Sequence, residues 1–161
     1  MGGIVPKRRI LGIDPGTRFV GYGLIEERGD TFRCLECGVI RAGGGALPGR
    51  LLVIFDRLSE VLRRRKPRVV SLEKIFYDKN VRTTIVIGEG RGVAMLAAAR
   101  AKARLFEYTP SEIKKAVTGN GRASKEQVGS MVSTILGLNR SVPEDAADAL
   151  AAALCHAFRN E

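Results

Sequence analysis

Four acidic side chains stand at positions where acids are uncommon. Asp14 follows Ile10-Leu11-Gly12-Ile13 at the end of an apolar strand and precedes a Pro-Gly turn, and Glu73 closes a second apolar strand, Val69-Val70-Ser71-Leu72. Asp145 and Asp148 lie within Glu144-Asp145-Ala146-Ala147-Asp148-Ala149-Leu150. Residues three apart on a helix share a face, with Cβ atoms ~5–6 Å apart, so these two carboxylates aim at one point. The alanines around them let that face approach a sheet closely. Carboxylates gathered without cations repel one another and raise each other's pKa. Hard oxygen ligands with no Cys or His among them suit Mg²⁺ or Mn²⁺, which relieves the repulsion. Two such ions ~3.5–4 Å apart can activate a water and stabilise the leaving oxygen in phosphodiester hydrolysis. Taken singly, each acid has a plainer reading: Asp14 holds a turn, Asp145 favours a helix N-terminus, Glu73 ends a strand in water. Their joint placement on two strand ends and one helical face favours the metal site.

The elements that must position these acids are legible in the chain. Arg9 to Asp14, Phe19 to Glu27 and Thr31 to Arg41 read as strands rich in Ile, Val, Phe and Tyr, joined by turns short enough for antiparallel hairpins. Leu51, Leu52, Phe55, Leu58 and Leu62 recur at helical spacing to about Arg65, and Pro67 ends that helix. The short strand ending in Glu73 follows, then a Gly- and Ala-rich helix from about Arg82 to Ala103 and a strand from Leu105 to Tyr108. Thr109-Pro110-Ser111-Glu112 is a capping box with proline at the first helical position, and Ser124-Lys125-Glu126-Gln127 caps the next helix. Ser141-Val142-Pro143-Glu144 is expected to cap the last one. The order predicts an α/β fold with a mixed five-stranded sheet, three antiparallel strands followed by two parallel crossovers, flanked by helices.

A chain of 161 residues suits one domain, taken as residues 1–161. Its 45% hydrophobic content and mean hydropathy of −0.02 exclude disorder and membrane spanning. Lys and Arg total 27 against 17 acids, a net charge of +10 that calls for a polyanion. Nucleic acid is the commonest such partner, and an anionic membrane surface is the competing one. No apolar run approaches the ~18–20 residues of a membrane span. The opening segment lacks a secretory signal's long apolar stretch, and Cys34, Cys37 and Cys155 make an odd count, which together point to a reducing cytoplasm. Cys34-Leu-Glu-Cys37 has zinc or redox spacing, but strand alternation sends residues three apart to opposite faces, so buried thiols are the expectation.

With these motifs in place, the sequence resembles the RuvC family of Holliday-junction resolvases (crossover junction endodeoxyribonucleases), whose fold is ribonuclease-H-like. The resemblance runs from about Arg9 to Phe158. It is carried by Ile10-Leu11-Gly12-Ile13-Asp14-Pro15-Gly16 with Gly21-Tyr22-Gly23, by Glu73-Lys74-Ile75-Phe76, by Tyr108-Thr109-Pro110 with Val117-Thr118-Gly119, and by Ala146-Ala147-Asp148-Ala149-Leu150-Ala151. It implies that Asp14, Glu73, Asp145 and Asp148 are a metal-binding catalytic tetrad holding two Mg²⁺, with Mn²⁺ as a substitute. It further implies paired symmetric nicking of four-way DNA junctions in recombination and repair, a homodimer, and a branch-migration complex of the RuvA and RuvB type as partner.

For the DNA, the resemblance implies that Phe76 stacks on an unpaired base beside the metals, against the plain reading of a core aromatic. Lys114, Lys115, Arg122 and Lys125 cluster near the presumed active face, and a helix N-terminus with lysine beside it binds phosphate well. The run Arg63-Arg64-Arg65-Lys66-Pro67-Arg68 is expected to be mainly a solvated helix end that also favours the dipole. His156 falls on nearly the face of Asp145 but ~16 Å along the helix, so it is read as structural. The glycines of Gly88-Glu89-Gly90-Arg91-Gly92 fail the context of a phosphate loop and suit close helix packing instead. Three other functions remain open. Asp14-Pro15-Gly16-Thr17 also resembles the phosphate turn of sugar kinases and actin-like ATPases, although those need two lobes. A resolvase-like RNA-processing nuclease and a non-catalytic nucleic-acid-binding relative are the others.

Overall fold

The computed structural model describes residue 3 and residues 5–74 and 80–159. Strands β1 (Lys7–Asp14), β2 (Phe19–Arg28) and β3 (Thr31–Arg41) are followed by helix α1 (Leu47–Arg65), β4 (Val69–Glu73), α2 (Val81–Arg100) and β5 (Arg104–Tyr108). Three helices end the chain: α3 (Pro110–Thr118), α4 (Lys125–Leu136) and α5 (Glu144–Phe158). The sheet order is β3-β2-β1-β4-β5. β1 pairs antiparallel with β2 and β2 with β3, whereas β4 runs parallel to both β1 and β5. This is the mixed sheet expected from the spacing of the turns.

One core lies on each face. Leu11, Ile13, Leu24, Val70 and Leu72 point to α1 and α2, where they meet Ile54, Leu58 and Ala94. Ile10, Ile25, Val69 and Tyr108 point the other way, to α3, α4 and the alanine-lined face of α5. Period-two alternation along β1 thus feeds both layers, which is why its middle is apolar throughout. The predicted capping boxes are present at Thr109/Glu112 and Ser124/Gln127. Ser141 does not cap α5. The N-cap is Pro143, which offers no side-chain acceptor, and its carbonyl takes the Ala147 N–H at 2.9 Å.

A second correction concerns β3. Ile25 pairs with Cys34 and Leu24 with Glu36, so Leu35 is an extra residue in the ladder. The bulge resets the alternation. Leu35 and Glu36 therefore both serve the α1 face, while Cys34 and Cys37 both pack on the α5 face. Neither thiol is fully buried; only Cys155 is.

The basic run that closes α1 is not uniformly solvated. Arg64 grips Glu36 with Nη1 and Nη2, each 2.9 Å from a carboxylate oxygen, and Arg65 adds Nε at 2.8 Å. The bulge that turns Glu36 toward α1 gives these arginines their partner. Gly90 of α2 packs closely, since a Cβ there would sit 2.5 Å from the Gly16 carbonyl oxygen.

Candidate metal centre

Asp14 and Glu73 come to the same edge because β1 and β4 are adjacent and parallel, with Ile13 opposite Leu72 in register. Each acid is the last residue of its strand. α5 then crosses the strands so that its first two turns deliver Asp145 and Asp148 to that edge. Carboxylate oxygens of Asp14, Asp145 and Asp148 all lie within 4.8 Å of one another. Glu73 lines the same cleft without joining that tight group. The cleft has a volume of about 390 Å³, and Lys114 from α3 and Lys125 from α4 share its wall with Pro110, Ile113 and Val128.

Close approach of α5 rests on glycine. A Cβ on Gly12 would lie 1.7 Å from the Ala149 carbonyl oxygen, and one on Gly21 1.9 Å from that of Asp145. Gly21 is also the residue paired with Asp14 across the ladder. Ser71 Oγ, fully buried on β4, donates to the Ala152 carbonyl at 2.7 Å and holds the middle of α5. His156, at the far end, is buried, with Nδ1 2.7 Å from the Tyr108 hydroxyl, the structural role expected of it.

The electrostatics are those of an acid cluster short of cations. Asp14 is pushed up to about 7 by burial first, then by Asp148, Asp145 and Glu73, with Lys125 opposing. Burial and the Asp148 charge raise Glu73, and Lys114 and Lys125 lower it. Asp148 is raised mainly by burial and pulled back by Lys125. Lys125 Nζ sits 2.8 Å from Glu144 Oε1 and 3.8 Å from Asp148 Oδ2, which keeps its ammonium charged. An all-oxygen donor set whose members suppress one another's ionisation fits a hard divalent cation, and Mg²⁺ or Mn²⁺ is the matching class.

The DNA-contact expectations divide. Lys114 and Lys125 line the cleft, whereas Lys115 and Arg122 are exposed and stand outside its wall. Phe76 lies outside the described residues. One residue that sequence reasoning missed is Arg91. Almost buried on α2, it donates to the Glu73 carbonyl at 2.8 Å and forms an ion pair with Glu107, so it holds the strand end that carries Glu73. The available signal was an arginine inside a Gly- and Ala-rich helix, where burial demands a partner.

The sequence model of the family described as Crossover junction endodeoxyribonuclease RuvC matches residues 10–156. The crossover junction endodeoxyribonuclease RuvC of Pelotomaculum thermopropionicum is 48% identical over 150 residues, 92% of either chain. That of Rubrobacter xylanophilus is 47% identical over 161 residues, covering 98% of this chain and 89% of its own. A solved structure, T. thermophilus RuvC in complex with Holliday junction substrate, superposes with a TM-score of 0.90 at 35% identity, over 95% of this chain and 94% of that one. The yeast mitochondrial Holliday junction resolvase Ydc2 shares the fold, with a TM-score of 0.67 at 15% identity over 98% and 80% of the two chains.

Proposed function

The chain belongs to the RuvC family of crossover junction endodeoxyribonucleases, and on that premise we propose how its residues perform the reaction. It is a phosphodiester hydrolase that resolves Holliday junctions in recombination and repair. The observation that carries the reading is the convergence of Asp14, Asp145 and Asp148 within 4.8 Å, in a cleft walled by two lysines.

Asp14, Glu73, Asp145 and Asp148 would hold the divalent metal, two Mg²⁺ in each cleft, with Mn²⁺ able to replace them. Bound there, the ions supply a nucleophilic water at neutral pH and offset the charge developing on the phosphate. The rest falls to the chain's own groups. Burial and the neighbouring carboxylates push the Asp14 carboxyl up to about 7, and a cation held there would favour its ionised form. Lys114 and Lys125 bind and orient the phosphate flanking the scissile bond. Lys125 also balances Asp148 and Glu144, so that an anionic backbone can enter an acidic cleft. Arg91 keeps Glu73 aimed inward through the strand end. Phe76 stacks on an unpaired base, while Lys115 and Arg122 track the backbone farther out.

A four-way junction has approximate two-fold symmetry, so a symmetric dimer gives one cleft to each of two strands. The exposed apolar side chains of α2, Val81, Ile85 and Leu96, with Leu52 of α1, support such a homodimer. A branch-migration complex of the RuvA and RuvB type delivering the junction, and a cytoplasmic setting, complete the reading. No helix among the described residues is long and apolar enough to cross a membrane.

The test is cleavage of synthetic four-way junctions, linear duplex and RNA hairpins, each with Mg²⁺ and with chelator. Paired symmetric nicks on the junction alone, dependent on the cation, are expected. Preferential cutting of the hairpins would replace this reading with RNA processing. Asp148→Asn should bind the junction and fail to cut, and Phe76→Ala should retain metal binding but cut poorly. Wild-type rates in either variant would reject the role given to that residue.

A further inference from the structure

Away from the cleft, the bulge on β3 creates a second cluster of reactive groups. Cys34 and Cys37, half-buried and not disulfide-bonded, sit on one face of the strand because Leu35 is extra in the ladder. The neighbouring Cys34 side chain lowers the Cys37 thiol from its usual range, with burial opposing. From the segment joining α4 to α5, Arg140 brings Nη2 to 3.8 Å from Cys37 Sγ at an exposed edge. A guanidinium directed at the Cys37 sulfur favours its thiolate, the nucleophilic form. No third metal-ligating side chain among the described residues joins the pair, which leaves sulfur chemistry rather than zinc.

We propose that Cys34, Cys37 and Arg140 form a thiol-exchange site at which Cys37 takes up a low-molecular-weight disulfide such as oxidised glutathione. The Cys37 thiolate attacks one sulfur of the incoming disulfide. A new S–S bond to Cys37 forms, the reagent's own S–S bond breaks, and its other half leaves as a thiolate that takes the proton Cys37 released. Arg140 is a positioning residue here: it stabilises the thiolate and faces the carboxylates that such a reagent carries. The remaining titratable neighbours are Glu36 on β3, which opposes the Cys37 thiolate but is itself held by Arg64 and Arg65, and Tyr22 on β2. Cys155 is the internal contrast, because burial pushes its thiol up to about 11.

The experiment follows iodoacetamide labelling of each cysteine across pH by peptide mass, then the mass gained with oxidised glutathione. At pH 7 Cys37 should react on the order of tenfold faster than Cys34 or Cys155, and the protein should gain one glutathione, located on Cys37. Arg140→Gln should move the Cys37 labelling midpoint to higher pH and slow glutathione uptake severalfold, and Arg140→Lys should restore both. Cys34→Ala should raise the midpoint in the same direction. Labelling of Cys37 no faster than Cys155, or a midpoint unmoved by Arg140→Gln in a folded protein, overturns the proposal.

Discussion

Gly21→Ala adds one methyl group at the place where the sheet and α5 touch, between the strand partner of Asp14 and the backbone of Asp145. The added carbon would start 1.9 Å from the Asp145 carbonyl oxygen and 3.0 Å from the Ala146 nitrogen, whereas ordinary contact begins near 3.4 Å. Every atom it meets belongs to backbone, so no side chain can swing aside. Helix and sheet must part by roughly the 1.5 Å shortfall at the oxygen. A displacement of about 1 Å in a reacting group costs on the order of a hundredfold in rate. Overpacking of this kind costs about 1–3 kcal/mol. In a domain of this size that lowers Tm by ~3–10 °C. Junction cleavage at saturating Mg²⁺, junction binding by fluorescence anisotropy in chelator, and thermal melting separate the effects. Cleavage should fall about a hundredfold while binding holds. The control is Gly129→Ala on α4, where a Cβ meets nothing within 4 Å. It should keep full activity and gain up to ~1 kcal/mol from helix propensity. A Gly21→Ala protein that melts and cuts like the wild type would refute the steric account of how α5 is seated.

In Asp14→Asn, cleavage should vanish, yet the metal-free protein should melt several degrees higher at pH 8. The native carboxyl is raised to about 7 from 3.8, so the folded state holds the extra proton and metal-free stability grows as pH falls from 7 toward 4. Differential scanning fluorimetry in chelator that finds no gain at pH 8 would contradict this. Glu36→Gln should cost about 1–2 kcal/mol at pH 7, discounted for partial exposure, and leave cleavage intact. Its carboxyl is held down at about 2 by Arg64 and Arg65, so the wild-type advantage is present above 4.5 and fades as pH falls toward 2; urea titrations at pH 7 and pH 3 read the difference. Ile85→Glu, on the exposed face of α2, should yield monomers in sedimentation and lose paired nicking; an unchanged dimer would place the interface elsewhere.

What could be read from the chain was what depends on local spacing. Apolar alternation, the capping boxes at Thr109 and Ser124, and the three-residue step between Asp145 and Asp148 all act within one or two turns. The features that escaped depend on a partner strand or helix. Nothing in Arg33-Cys34-Leu35-Glu36-Cys37 marks Leu35 as extra; only the ladder with β2 does. Pro143 displaced Ser141 as the cap of α5, because where the helix begins is set by its seat on β1 and β2 as well as by the capping pattern. The glycines at 12 and 21 were visible as letters, but their contact with Ala149 and Asp145 is tertiary.

All four acids stand on regular elements: two strand ends and one helix locked to the sheet by glycine contacts and by Ser71. Such a site has little freedom to mould itself to a ligand, and adaptation must come from the nucleic acid. Discrimination is then mechanical. A strand at an open branch point, unstacked and free to bend, reaches the carboxylates at small elastic cost, while a stiff continuous duplex must be deformed before its phosphate can arrive.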